Sequence, residues 1–156
     1  QISDLVSIPT LAKDFIIDEK QIIRSLNAGA TVILLIVAAL SEDRLKELFK
    51  FATRLGLEVL VETHNLSELD IAHRIGAKII GVNNRNLTTF EVSLQTSLDL
   101  APHFLPDRVY VSESGIFTNE QAELLAPYFH ALLVGTALMQ SDDVAQKVKE
   151  LSIDKG

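Results

Sequence analysis

The 156 residues contain no cysteine. That excludes disulfide scaffolds, thiolate nucleophiles and sulfur-ligated metal sites, and it fits a reducing cytoplasm. Basic residues are in deficit as well: 14 Lys and Arg against 21 Asp and Glu leave a formal charge of -7, the wrong sign for a protein that holds nucleic acid by its phosphates. An anionic small molecule would have to be captured locally. Long hydrophobic runs are missing too. The longest, Val32 to Leu40, has nine residues, whereas a bilayer span takes about 20, and no basic segment with a cleavage site opens the chain. Membrane and secreted readings therefore lose their support. There is no G-x-G-x-x-G and no P-loop, and the four histidines, His64, His73, His103 and His130, lack metal-ligand spacing. We assign no metal.

What is present is a regular alternation. Apolar, β-branched runs at Pro9–Lys13, Val32–Val37, Leu57–Glu62, Lys78–Asn83, Arg108–Glu113 and Ala131–Gly135 read as strands, each followed by a helical pattern. Leu45, Leu48, Phe49, Ala52 and Leu55 mark one buried face of a helix over Glu42–Leu55, with Ser41 as N-cap and Gly56 at the C′ position. Thr118-x-x-Gln121 reads as a capping box, and Asn65-x-x-Glu68 as a related helix start. Weaker helical patterns cover Glu19–Asn27, Ser93–Ala101 and Asp143–Leu151. Strands apolar on both faces and joined through helices form parallel sheets, so the class is α/β.

A unit recurs about every 24 residues, with no linker or low-complexity break, so 1–156 reads as a single domain. Such an array closes as a (β/α)8 barrel or opens as a doubly wound sheet. The polar residues of chemical interest fall at the ends of different strands, which favours the barrel. A barrel takes ~250 residues for eight units, so the expectation is an incomplete TIM barrel of about six βα units, lacking the N-terminal two. Gln1 to Ser7 would then be the tail of a preceding helix.

Lys13 ends the first strand. Its bland alternative is a solvated lysine. Glu62 closes a run whose burial would raise its carboxyl pKa and suit it to general acid or base work, the alternative being a structural ion pair with a cation such as Lys13. Lys13, Glu62 and Glu113 sit on alternate strands and converge on one barrel mouth. Asn83 and Arg85 share a parity just beyond the fourth strand and are read as ligand contacts, whereas Asn84 and Asn86 are read as serving backbone geometry. Ser114-Gly115 and Gly135-Thr136 suit a phosphate cradle of backbone N–H groups and hydroxyls. Phe15, Leu34 and Leu87, placed at or just beyond strand ends, either cap the core or line an apolar slot.

Taken in order, Lys13-Asp14-Phe15-Ile16, Leu34-Leu35-Ile36-Val37, Val61-Glu62-Thr63-His64, Gly81 to Leu87 with Thr89-Phe90-Glu91-Val92, Ser112 to Ile116, and Val134 to Met139 closely resemble the indole-3-glycerol phosphate synthase family over essentially the whole chain. The resemblance implies a carboxy-lyase of tryptophan biosynthesis that closes the ring of 1-(2-carboxyphenylamino)-1-deoxyribulose 5-phosphate, losing carbon dioxide and water, without metal or organic cofactor. It implies Lys13 as general acid and Glu62 as acid/base in dehydration. Asn83, Arg85 and Glu113 would orient the substrate, Phe15, Leu34 and Leu87 would wall the anthranilate ring, and Ser114, Gly115, Gly135 and Thr136 would hold the phosphate. Thr136 stands where serine or glutamate is common in the family, and Ala126-Pro127-Tyr128-Phe129-His130 replaces its small, glycine-containing turn. The expected partner is a phosphorylated small molecule, with no nucleic acid or membrane, and with self-association through open strand edges if the barrel stays incomplete. Alternatives are another phosphate-binding barrel, an isomerase or epimerase, and a non-catalytic barrel fragment.

Overall fold

In the computed structural model, which describes residues 2–153, the expected alternation is realised. Strands β1 (Leu11–Ala12), β2 (Val32–Ile36), β3 (Glu58–Thr63), β4 (Ile79–Asn83), β5 (Val109–Glu113) and β6 (Ala131–Leu133) alternate with helices. These are α1 (Glu19–Asn27), α2 (Glu42–Arg54), α3 (Leu66–Arg74), α4 (Gln95–Leu100), α5 (Asn119–Leu125), α6 (Thr136–Met139) and α7 (Val144–Leu151). Along the sheet the strands keep chain order, and the ladders between β1 and β2, β2 and β3, and β5 and β6 are parallel. A doubly wound sheet reverses its order at a switch point; this one does not reverse.

The residues fall into two compact units, the first running up to Thr63 and including Ser67–Ile80, the second made of His64–Leu66 and the residues from Gly81 on. In the first unit β2 and β3 are buried along nearly their whole length, and Leu45, Leu48 and Ala52 of α2 are fully buried against them. The helix starts as its sequence dictates and stops one residue short of expectation, Leu55 being its C-cap and exposed rather than part of the buried face. The Ser41 side chain accepts from the Arg44 N–H, Glu42 and Asp43 occupy the positive end of the helix dipole, and Gly56 takes φ +81, a conformation that suits glycine.

A capping box opens α1, where the sequence pattern of Glu19–Asn27 is weak. Asp18 accepts from the helix N-terminus while the Gln21 side chain returns to the cap backbone. Gln21 Oε1 accepts from Ile17 N (2.8 Å) and Asp18 N (3.1 Å), and its Nε2 donates to Phe15 O (2.8 Å). Arg44 of α2 holds the same segment from the other side, donating to Ile17 O at 3.2 and 3.3 Å and gripping both oxygens of Glu19 at 2.7 Å. That grip holds the Glu19 carboxyl below its ordinary pKa. The β1–α1 connection is therefore tied by side chains at most of its length.

In the second unit the core gathers around aromatic rings. Phe104 stacks on Tyr110 with centroids 3.6 Å apart, and Phe129 meets Phe104 edge-on at 5.2 Å. Phe129 and His130 belong to the turn that departs from the family pattern, and they are put to use: the Phe129 ring is buried and His130 Nδ1 accepts from Tyr110 N (3.1 Å) at the start of the β5–β6 ladder. The Tyr110 hydroxyl accepts from Leu105 N (2.8 Å), and burial pushes its pKa up. The neutral phenol is thus favoured in the folded state. Its contribution to stability is complete below the unfolded value of about 10 and lost as pH rises through the folded one. We expect the urea midpoint to fall more steeply above about pH 10 for the parent chain than for Tyr110→Phe, which gives up about 1 kcal/mol at neutral pH through the lost Leu105 contact.

Several boundaries differ from expectation. The ladder of β1 stops after Ala12, leaving Lys13 one residue beyond the strand, and at its start the Thr10 N–H goes to the Thr31 hydroxyl (2.9 Å) rather than to a strand carbonyl. Strand β6 ends at Leu133, and Gly135 is the N-cap of α6. Val37 opens a 3-10 turn, Val37–Ala39, instead of ending β2. Gln95–Leu100 is shorter than expected and passes into a 3-10 turn, Ala101–His103, which contains Pro102. The expected helical tail over Gln1–Ser7 is a single 3-10 turn, Ile2–Asp4; the proline at position 9 biases Ile8 away from helix. Gln1 and 154–156, the ends of the expected single domain, lie outside the described residues.

Candidate active site

Two groups of candidate residues are built, one in each unit. In the first, the register Ala12↔Ile33↔Val59 puts Lys13 one step further along, level with Leu34 and Leu60, which pair with each other. Glu62 lies two residues beyond Leu60, an offset of ~7 Å along a strand. A lysine side chain can bridge that distance, and it does: Lys13 Nζ donates to Glu62 Oε2 at 3.1 Å. The two partners differ sharply in solvation, Glu62 being 2% exposed and the Lys13 side chain 37%. A carboxylate so far from water is costly without a compensating cation.

Leu34 is the third residue of β2 and buried, so it lies within the strand and not at its end. It shares the face of Ile36, the register partner of Glu62. Phe15 is 68% exposed and lines a cleft of about 740 Å³ beside β1 together with Leu11, Ala12, Asp14 and Ile16. Neither Lys13 nor Glu62 lines that cleft.

In the second unit Asn83 and Glu113 are the last residues of β4 and β5, and both are buried, Glu113 to 1% exposure. Asn83 Oδ1 accepts from Arg85 N (3.0 Å), which turns the chain out of the sheet. Arg85 is partly exposed and bridges Val92 in antiparallel fashion, so the segment from 85 to 92 folds back on itself. Leu87 is at its tip, exposed. Asn86 Oδ1 accepts from Thr88 N (2.8 Å) and Thr89 N (3.0 Å), which is the backbone role expected of it.

The register Glu113↔Leu133 makes Ser114-Gly115 and Val134-Gly135 parallel continuations of neighbouring strands. Ser114 and Gly115 both have positive φ, +68 and +78. A Cβ on Gly115 would come within 2.5 Å of Val92 Cγ1, so only glycine fits there. Gly135 meets nothing within 4 Å of such a position, and it and Thr136 are exposed.

The sequence reading did not foresee the buried amide and hydroxyl cluster behind this turn. Asn84 Nδ2 donates to Ser112 Oγ (3.1 Å) and to Ser114 O (3.0 Å), Asn84 Oδ1 accepts from Ser97 N (3.1 Å), and the Ser97 and Ser112 hydroxyls lie 2.8 Å apart. Ser97 and Ser112 are fully buried polar residues. Ser112 shares strand parity with Tyr110 and not with Glu113, and no pattern within a single segment ties it to Asn84 or Ser97.

The indole-3-glycerol phosphate synthase family model matches residues 1–151. The chain belongs to that family. Relatives named indole-3-glycerol phosphate synthase share 77% identity in Streptococcus mutans and 75% in Streptococcus pneumoniae and Streptococcus gordonii, over 156 residues that are all of this chain. The chain spans 61% of the length of each. Among solved structures, 3-hexulose-6-phosphate synthase from Salmonella typhimurium superposes with a TM-score of 0.78 at 14% identity, covering 92% of this chain and 71% of that one. A second 3-hexulose-6-phosphate synthase gives 0.73 at 15%, covering 90% and 70%. At such identities the likeness shows the fold alone, that of part of a (β/α)8 barrel. Membership in the indole-3-glycerol phosphate synthase family and this fold agree with the expectation from the strand-end motifs.

Proposed function

We propose that the chain carries the chemistry of indole-3-glycerol phosphate synthase: ring closure of 1-(2-carboxyphenylamino)-1-deoxyribulose 5-phosphate with loss of carbon dioxide and water, in the cytoplasm, as a carboxy-lyase. The observation that carries this reading is the Lys13–Glu62 pair, an ammonium held at 3.1 Å from a carboxylate that is almost wholly desolvated. The pairing keeps Lys13 cationic, as a proton donor must be, and keeps a proton acceptor beside it. In the proposed course the ring carbon bearing the carboxylate attacks the ketone carbon and the ketone oxygen takes a proton from Lys13. Carbon dioxide then leaves, its bonding pair returning to the ring; the new hydroxyl gains a proton and departs as water, and the neighbouring nitrogen-bearing carbon gives up a proton as the double bond forms, with Glu62 as the acid/base of this dehydration.

The remaining residues hold the substrate. Asn83, Arg85 and Glu113 orient its polar middle, Phe15, Leu34 and Leu87 bound its aromatic ring, and Ser114, Gly115, Gly135 and Thr136 take the phosphate. An acidic chain then needs no basic surface to hold an anion, because backbone N–H groups and hydroxyls supply the contacts.

Indole fluorescence tests the proposal directly. The chain has no tryptophan, so the indole product appears over a low protein background. Substrate is added to the chain alone, and to the chain mixed with a fragment carrying the N-terminal segment that its longer relatives possess. Fluorescence growth in either arm supports the activity, and growth only in the mixture also makes that segment part of the catalyst. No growth in either arm, with circular dichroism showing a folded mixture, overturns the reading in favour of another phosphate-binding barrel.

A further inference from the structure

We infer that Asn84 is a positioning residue: its buried amide fixes the Ser114–Gly115 turn in the orientation that receives a phosphate monoester, so that Asn84 sets affinity for the phosphate and not the rate of the bond-making steps. The inference rests on the proposed phosphate role of that turn. Asn84 is 2% exposed, and its side chain reaches three places at once: the start of α4 at Ser97, the interior of β5 at Ser112, and the carbonyl of Ser114. Its backbone is tied equally well, the N–H donating to Glu113 O (2.8 Å) and the carbonyl accepting from Ser93 N (3.0 Å).

The bond to Ser114 O carries the argument. Ser114 and Gly115 share one planar trans peptide, in which the C=O and the N–H point in opposite directions. Holding the Ser114 carbonyl on a buried amide therefore fixes the direction of the Gly115 N–H, turned away from that amide. A left-handed serine is uncommon and strained unless the surroundings impose it. Here they do, through Asn84 on one side and Val92 packed against Gly115 on the other. Without the amide the peptide is free to rotate, and an N–H aimed at an anion is lost.

A merely structural asparagine would affect folding and leave affinity alone, so the test separates the two. Binding of inorganic phosphate to the full chain is measured by calorimetry for the parent, Asn84→Ala and Ser112→Ala. In whichever arm of the fluorescence assay turns over, KM and kcat are measured as well. Ser112→Ala disturbs the same buried cluster but leaves the Asn84–Ser114 bond in place. The expected result is phosphate Kd and KM raised about 10- to 100-fold by Asn84→Ala with kcat within about threefold of the parent, and little change in Kd for Ser112→Ala. If the alanine cavity unfolds the chain, Asn84→Leu, of similar volume, replaces it. Parent-like phosphate binding in the Asn84 variant overturns the inference and leaves the proposed function standing, as does equal weakening by both variants or a loss confined to kcat. A parent chain that does not bind phosphate overturns the inference, and the proposed function falls with it only where neither arm of the fluorescence assay turns over.

Discussion

Replacing Lys13 by alanine, in the form of the protein that turns over, is expected to lower kcat by about 10³-fold or more, in the range that removal of a general acid produces, while KM changes little. The physical ground is the position of the ammonium. It is not buried in the core, so its loss removes little packing, yet it is fixed on a carboxylate at 3.1 Å. A side chain that served only as a solvated strand end would change nothing, and one that served only to neutralise Glu62 would show its effect in stability. The three cases are separated by measuring kcat, KM and the urea midpoint of the same variant. Near-normal turnover removes Lys13 from the mechanism. A large fall in the midpoint with turnover preserved per folded molecule makes the pair structural.

The second large effect is expected at Gly115. A valine there must adopt φ +78 and place its Cβ 2.5 Å from Val92 Cγ1. The backbone penalty is about 1–3 kcal/mol and overpacking adds about as much. The sum, about 2–6 kcal/mol, is a large part of the stability of an ordinary domain, so Gly115→Val should unfold at much lower urea or fail to accumulate in soluble form. Val92→Ala in the same chain should recover the packing share and leave the φ penalty. An unchanged midpoint for Gly115→Val would mean that the segment from 85 to 92 moves aside at little cost. At Gly135, where an added Cβ meets nothing, alanine should cost far less.

The two glycines show how far the sequence could be read. Both follow strand-end patterns and both were assigned to one phosphate cradle, but the requirement for glycine is steric at 115 and absent at 135. Val92, the neighbour that makes the difference, is 23 residues earlier in the chain. Periodicity located the helix face of Leu45, Leu48 and Ala52, and both Ser41 and Thr118 cap as their spacing indicates, because these are local effects repeated along one element. Strand ends were legible only to within one or two residues. Lys13 and Gly135 each fall outside the ladder, since a strand's length depends on its neighbour's hydrogen bonds as well as its own side chains.

Pairings across the sequence were the least accessible. The Lys13–Glu62 contact is legible as an alternative because both residues sit at strand ends, and strand order then brings them together. The Asn84–Ser97–Ser112 cluster has no such signal at the level of a single segment. Asparagine in a polar turn satisfies its own neighbours in most cases, as Asn86 does here, and parity alone cannot tell which of two adjacent amides turns inward.

The tie between the β1–α1 connection and its helices has a consequence for how activity would be lost. Phe15, Ile17 and Asp18 are held by Gln21 of α1, and Ile17 and Glu19 by Arg44 of α2, so the backbone that follows Lys13 opens when those helix ends open. Fraying of one helical turn is far less costly than global unfolding. Inactivation on warming should therefore run ahead of the loss of sheet structure, with the amides of 15–18 exchanging together with the first turn of α1 as one cooperative segment.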